Sequence, residues 1–178
     1  GQRGLACVIA AKEAGAGQVI VTGLEADKPK LELALEFGAD HCIDVDNENS
    51  VRRVKELTDG GADIVVDVSA NATRPVRDAL HMVRAGGTVI LAGVKGMKAV
   101  DDFVSDYIVL KEIKIQGAIG VTSSGYQSAI KLIESGRSPI ARMHTHNFDL
   151  SEAELAIRTL GRDIPGQGSI HSCLIPPK

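Results

Sequence analysis

The sequence predicts an α/β fold, a parallel sheet wound doubly, with helices on both of its faces. Three observations carry that prediction. Short apolar segments alternate with amphipathic ones along the whole chain, the order that a parallel sheet with crossover helices requires. Two of those segments, 63–68 and 88–94, are almost continuously apolar, as expected of strands covered on both faces. The chain also opens on Gly1-Gln2-Arg3-Gly4, a glycine-rich turn that leads straight into an apolar run.

That run, Leu5 to Ala11, predicts a helix buried on most sides and stopped at Gly15. A helix that begins on glycines presents free backbone N–H groups and a partial positive charge. It is a ready site for phosphate or pyrophosphate. Gly1 and Gly4 have the spacing of the last two glycines of a G-x-G-x-x-G fingerprint, so the chain begins inside the motif, without its first glycine and preceding strand. A strand follows over Gln18–Thr22 and ends at Gly23-Leu24-Glu25. The second helix has Asp27 as its cap, Pro29 in its first turn, a core stripe of Leu31, Ala34 and Leu35, and Gly38 as its stop.

A short strand is expected around His41-Cys42-Ile43, then a helix capped by Ser50 with Val51, Val54 and Leu57 on one side. After the strand at 63–68, Asn71 or Thr73 starts a helix with Pro75 in its first turn. Its apolar residues Val76, Ala79, Leu80 and Val83 recur at i, i+3, i+4 and i+7. Gly86-Gly87 turns into the strand at 88–94, and Lys95-Gly96-Met97-Lys98 reads as a mobile loop before a short helix at 105–110. Ile113 to Gln116 alternates apolar and polar, the pattern of an edge strand. A helix from about Ser124 carries Tyr126, Ala129, Ile130 and Ile133 as its stripe. Ser151 and Glu154 form a capping box for a last helix with Ala153, Ile157 and Leu160 on its apolar side. The tail from Ser169 to Ile175 is a final strand, and Pro176-Pro177 closes the chain.

Composition excludes several functions. Of 178 residues 44% are apolar and 24% charged, ordinary for a soluble globular protein. The net charge of −3 comes from 20 basic and 23 acidic residues with no basic stripe, so no nucleic-acid partner is expected. Aromatic residues make up 3%, with no Trp, which leaves little for a base-stacking surface. No apolar run reaches the length of a membrane span, and no secretory signal is visible. Cys7, Cys42 and Cys173 are odd in number and far apart, as in a reduced, cytoplasmic protein.

Other chemistry-bearing residues read as structural. His144 and His146 form an H-x-H pair that shares one face of an alternating strand, but the sequence offers no third ligand nearby, so no metal site is expected. His81 reads as solvated or capping. Asp63 starts a strand and Asp67 ends it, where loop amides can satisfy a carboxylate. Cys42 and Cys173 read as core fillers, and Ser69 and Ser124 lack a nucleophile elbow. No catalytic residue is assigned.

Several stretches together resemble the cofactor-binding, C-terminal domain of the medium-chain zinc-type alcohol dehydrogenase superfamily. They are Gly1-Gln2-Arg3-Gly4, the strand Val19 to Gly23, Leu33 to Asp40, Gly61 to Asp67, Val83 to Val89 and Leu110 to Gly117. The resemblance covers essentially the whole chain. It implies a Rossmann-type doubly wound sheet lacking its first strand in this chain. Residues 1–168 would be the dinucleotide-binding domain, incomplete at its N-terminus, and 169–178 a strand returning to a separate N-terminal catalytic domain. In that family the catalytic zinc and the proton relay belong to the N-terminal domain, which has no counterpart in this sequence. The resemblance therefore implies a fragment of a longer enzyme, inactive by itself.

Carried over residue by residue, Gly1, Gln2, Arg3 and Gly4 would lie against the pyrophosphate and the nicotinamide side of the cofactor. Arg3 departs from the small aliphatic usual at its position. Val68 and Ser69 would border the adenine ribose, and Gly93, Val94, Ala118, Ile119 and Gly120 would line the nicotinamide. The acid that bonds the adenine ribose in NAD enzymes corresponds to Glu25, which stands thirteen residues before Gly38. If Gly23 holds that place instead, Lys28 and Lys30 could neutralise the 2′-phosphate of NADP. The resemblance thus implies NAD, with NADP as the alternative, and zinc only in the N-terminal domain. It further implies an alcohol or polyol substrate and a homodimer or homotetramer through the edge strand Ile113–Ala118. Two other readings of the residues remain open: a zinc-free quinone or enoyl reductase domain, and a nucleotide-binding module without chemistry.

Overall fold

A computed structural model describes residues 1–166 and 168–176; Gln167, Pro177 and Lys178, including the second proline of the closing pair, lie outside the described residues. In chain order the elements are α1 (Gln2–Glu13), β1 (Ile20–Gly23), α2 (Lys28–Glu36), β2 (His41–Asp44), α3 (Ser50–Leu57), β3 (Ala62–Asp67), α4 (Arg74–Met82), β4 (Val83–Leu91), α5 (Asp106–Lys111), β5 (Lys114–Gly117), α6 (Ser123–Glu134), β6 (His144–Asp149), α7 (Ala153–Gly161) and β7 (His171–Ile175). The alternation of strand and helix is the expected one. The strands form three sheets, β1-β2, β3-β4-β5 and β6-β7. Pairing is parallel between β3 and β4, β4 and β5, and β6 and β7. The chain divides into two compact units, Gly1–Cys42 with Gln127–Lys178, and Ile43–Tyr126.

The core of the first unit gathers Leu5, Val8 and Ile9 of α1, Leu33 and Ala34 of α2, and Phe37, Ala39 and Met143. Leu5, Val8 and Ile9 share one helical face, at i, i+3 and i+4. Burying each such side chain contributes about 1.5–3 kcal/mol. Gly38 ends α2 with φ +103, a conformation that side chains rarely adopt. The Ala39 N–H then closes the helix end by donating to the Ala34 carbonyl at 2.9 Å.

The second unit packs α4 against β3 and β4, with Ala79, Leu80, Val83, Val89 and Ile113 at its centre. The expected α4 stripe is buried throughout. Strand β4 begins at Val83 rather than after Gly87: Val83 pairs with Ala62, and after a register shift the pairing resumes at Ile64 with Thr88. It also ends at Leu91, short of the expected Val94. Lys111 donates to the Leu80 carbonyl at 2.8 Å and to that of Val83, tying α5 to the end of α4.

Local signals that nearby residues could serve settle one or two positions before the one expected. Asn49, not Ser50, caps α3, its Oδ1 accepting the Arg52 N–H at 3.0 Å, while Ser50 is buried. The capping box belongs to Asp149 and Glu152, whose Oε2 accepts the Asp149 N–H at 2.9 Å. Asp27 stands at the α2 N-cap, but its side chain accepts no backbone N–H of the first helical turn.

Other expected core positions face outward. Leu35 on α2, Tyr126, Ile130 and Ile133 on α6, and Ile157 and Leu160 on α7 are exposed. In α7 it is Ala156 and Thr159 that are buried. In β3, Ile64 is 58% and Val66 42% exposed, so only the face bearing Val65 is packed. Periodicity identifies residues that share a face; it does not say whether another element covers that face.

Candidate functional site

In the second unit, parallel pairing sets Asp67 beside Leu91 and Leu91 beside Gly117. The three strands therefore end together, and Val68, Ala92 and Ala118 are the first residues beyond them. Ligands of open parallel sheets bind at this edge, outside the carboxyl ends of the strands. Main-chain bonds hold the departing loops: the Ala92 and Gly93 N–H groups donate to the Asp67 carbonyl at 2.9 and 3.0 Å, and Ala118 N–H to that of Leu91 at 3.0 Å. A Cβ on Gly93 would stand 1.9 Å from the Ser69 carbonyl oxygen, so only glycine lets these two loops approach. An open cleft of about 400 Å³ lies here, lined by Leu91, Ala92, Gly93, Val94, Gly117, Ala118 and Ile119. The structure thus brings together Gly93, Val94, Ala118 and Ile119 of the expected contacts. Gly120, with φ +74, is the turn that follows.

Beside the cleft, the buried Asp67 carboxylate organises the loop. Its Oδ1 accepts the Ser69 N–H at 3.0 Å and the Ser69 hydroxyl at 2.5 Å. The Lys95 ammonium lies 2.6 Å from Asp67 Oδ2 and donates to the Ser69 carbonyl at 2.6 Å and hydroxyl at 3.0 Å. Ser69 is thereby held as a structural hydroxyl, and Val68 is half-buried next to it. Asp67 is satisfied by a loop amide, as its position implies. Lys95 had no local signal, since its loop reads as mobile. A larger cleft, about 550 Å³, runs between α3 and α4, where Asp78 pairs with Arg74 and Arg77. It contains none of the expected contacts.

In the first unit, α1 starts at Gln2 with Gly1 as its N-cap, and the Leu5 N–H closes the first turn on the Gly1 carbonyl at 3.1 Å. The N–H groups of Gln2, Arg3 and Gly4 precede that first intrahelical bond, and the first turn contains no acidic residue. Gly1, Gln2 and Arg3 are exposed and Gly4 half-buried. After β1, Glu25 begins a short 3-10 turn, Glu25–Asp27, and both Glu25 and Lys28 are exposed. Lys30 is committed to Asp27, donating to Oδ1 at 3.1 Å, and Arg162 donates to the same oxygen. Burial favours the neutral Asp27 carboxyl, but the bonds from Lys30 and Arg162 outweigh it and hold Asp27 below the ordinary carboxylate range. Arg162 is 135 positions from Asp27 and could not be paired with it by spacing.

The histidines part company. A register shift falls between His144 and His146, so they do not act from one face. His146 stacks on Phe148 with ring centroids 5.9 Å apart and meets the Thr145 hydroxyl at 2.9 Å. His144 instead faces His171 with Nδ1 atoms 3.1 Å apart, and Cys173 is their neighbour. Cys173 is exposed, not the core filler its sequence implies, because the outer end of β7 is uncovered. Cys42 packs against the first core, and burial raises its thiol. His81 stacks edge-on against Tyr107 at 4.5 Å and is lowered by burial, then by Lys55 and Lys111.

Residues 4–135 match the family described as zinc-binding dehydrogenase. The chain belongs to the zinc-binding dehydrogenase family. A curated relative, "Probable alcohol dehydrogenase adh" of Mycobacterium tuberculosis, is 40% identical over 178 residues, covering 99% of this chain and 48% of that protein. Among solved structures, an alcohol dehydrogenase zinc-binding domain protein from Burkholderia ambifaria superposes with a TM-score of 0.88 at 23% identity, over 100% of this chain and 47% of that one. A zinc-binding dehydrogenase from Sinorhizobium meliloti 1021, described as bound to NADP, superposes with a TM-score of 0.83 at 26% identity, over 99% of this chain and 50% of that one. The chain of this family member spans about half the length of the relatives it matches. No helix among the described residues is long and apolar enough to cross a membrane.

Proposed function

We propose that this chain is the nicotinamide-cofactor-binding part of an NAD(P)-dependent alcohol or polyol dehydrogenase. The observation that carries this reading is the cleft at the carboxyl ends of β3, β4 and β5, where Gly93 meets the Ser69 carbonyl too closely for any Cβ. The cleft's small and apolar lining suits a flat ring, and the bound nicotinamide would supply hydride transfer. In the second unit, Gly93, Val94, Ala118, Ile119 and Gly120 would line the ring and exclude water from one side of it. Val68 and Ser69 would border the adenine ribose, with Ser69 fixed by Asp67 and Lys95. In the first unit, the N–H groups at the start of α1, over Gly1 to Gly4, would take the pyrophosphate. Residues 1–168 would carry the cofactor, and 169–178 would lead back to a further domain.

Glu25 would accept the adenine ribose hydroxyls and favour NAD. The commitment of Lys30 to Asp27 supports this, because it leaves Lys28 as the lysine facing solvent. The NADP reading is favoured by the bound state of the Sinorhizobium meliloti relative. Titration of both cofactors into the intact enzyme, wild type and Glu25→Ala, decides between them. The NAD reading expects tighter NAD in the wild type and loss of that preference in the variant. Tighter NADP, or an unchanged preference, overturns it.

Zinc does not fit this cleft. Its lining residues, from Leu91 to Val94 and Gly117 to Ile119, offer no imidazole, thiolate or carboxylate. With no acid, base or metal ligand in the cleft, the chain by itself should turn over no alcohol, with or without added metal. Turnover by the purified 178-residue chain would overturn that reading.

A further inference from the structure

We propose that His144, His171 and Cys173 bind a divalent transition-metal ion on the β6–β7 ribbon. Parallel pairing sets His144 directly across from His171. Cys173 follows His171 by two residues on β7, and side chains two apart on a strand share a face. The donor atoms of all three lie within 4.8 Å of one another.

The two Nδ1 atoms are 3.1 Å apart. In a tetrahedral site with metal–nitrogen bonds of about 2.0–2.1 Å, two nitrogens stand roughly 3.3–3.4 Å apart. An ion can therefore replace the proton between these rings with almost no strand movement. The tautomer of His144 suits it. Its Nε2 lies 2.8 Å from Asn147 Oδ1, an oxygen that only accepts, so Nε2 carries the hydrogen and Nδ1 keeps its lone pair. In the metal-free protein His171 Nδ1–H donates to that lone pair. On binding, His171 carries its hydrogen on Nε2 and the Cys173 thiol gives up its proton, a release of one proton per ion.

The backbone around the site is held before any ion arrives. Thr145, at the register shift, donates its hydroxyl to the His171 carbonyl at 3.1 Å and accepts the Ile170 N–H at 3.0 Å. His144 and Cys173 are exposed and His171 is half-buried, so an ion has a path in. Two imidazoles and a thiolate select zinc(II), cobalt(II) or nickel(II) over the oxygen-seeking calcium and magnesium. The fourth position stays open to water or an added ligand. The site stands on the β6–β7 pair and does not depend on cofactor binding.

Titration of the reduced, tag-free full chain with cobalt(II) at about pH 8, above the ordinary histidine range, tests the site. The expected result is one saturable ion per chain, a thiolate-to-cobalt charge-transfer band, tetrahedral ligand-field bands, one proton released and displacement by zinc(II). Cys173→Ser should abolish the charge-transfer band. His144→Ala and His171→Ala should each weaken binding at least tenfold, and Asn147→Ala about tenfold. Cys7→Ser, Cys42→Ser and His146→Ala should leave band and affinity unchanged. Far-UV circular dichroism checks each variant, and the exposed position of His144 keeps at least that one informative. Absence of saturable binding overturns the proposal. So does a charge-transfer band that survives Cys173→Ser, or a His146→Ala loss equal to that of His144→Ala.

Discussion

The Lys95 ammonium stands 2.6 Å from the carboxylate of Asp67, whose side chain is only 4% exposed. The two residues leave neighbouring strands, and Ser69 is fastened between them. Removing the cation strands a buried negative charge, which costs about 3–5 kcal/mol when nothing else compensates. Because Ser69 still donates two bonds to Asp67, Lys95→Met should lie near the lower end, read as a lower urea midpoint. Asp67→Leu with Lys95→Met, which removes both charges, should be less destabilised than Lys95→Met alone. Equal midpoints for the wild type and Lys95→Met would show that the pair contributes nothing.

Gly93→Ala places a methyl carbon where the Ser69 carbonyl oxygen already is. The loops after β3 and β4 must then separate, at a cost of about 1–3 kcal/mol in stability. Nicotinamide cofactor should bind at least about tenfold more weakly, or ~1.4 kcal/mol, by fluorescence titration of the intact enzyme. Gly17→Ala is the control, since a Cβ there meets nothing within 4 Å and Gly17 does not line the cleft.

Acid should loosen the first unit through Asp27. Its folded-state value is depressed, so its stabilising effect is present at neutral pH, above the unfolded value. That effect is lost as pH falls through the folded value, below the ordinary carboxylate range. Charge-assisted hydrogen bonds of this kind contribute about 1.5–3 kcal/mol each. Asp27→Asn should lower the melting temperature at neutral pH and narrow the difference from wild type as the solution is acidified. A constant difference across that range counts against the assignment.

Strand β5 pairs with β4 on one side, and its residues Lys114–Gly117 are all exposed. We expect the intact enzyme to associate through this edge into a homodimer or homotetramer, continuing the sheet. Ile115→Pro removes a backbone donor and breaks strand pairing. Light scattering should then report a smaller particle for the variant than for the wild type. An unchanged mass would dismiss the edge as the interface.

What the sequence discloses depends on how far apart the cooperating residues lie. The α4 stripe and the glycine stop of α2 are local patterns, and both appear where the spacing puts them. Strand ends are less legible: Val68, Gly93 and Val94, expected inside strands, lie beyond the ends of β3 and β4. Choices between residues one or two positions apart, Asn49 against Ser50 or Glu152 against Glu154, are invisible to composition. Arg162 with Asp27, Lys95 with Asp67 and His144 with His171 are pairings made by topology, and no spacing rule reaches them.

The exposed isoleucines and tyrosine of α6 and the open face of β3 bear on calorimetry. Side chains partly hydrated in the native state add less to the heat capacity gained on melting. An ordinary globular chain gains about 12–15 cal/mol/K per residue on unfolding. With Tyr126, Ile130, Ile133, Ile64 and Val66 already 42–62% exposed, the 178-residue chain should fall below that range. Its stability curve should be correspondingly flat, varying little between cold and warm solution.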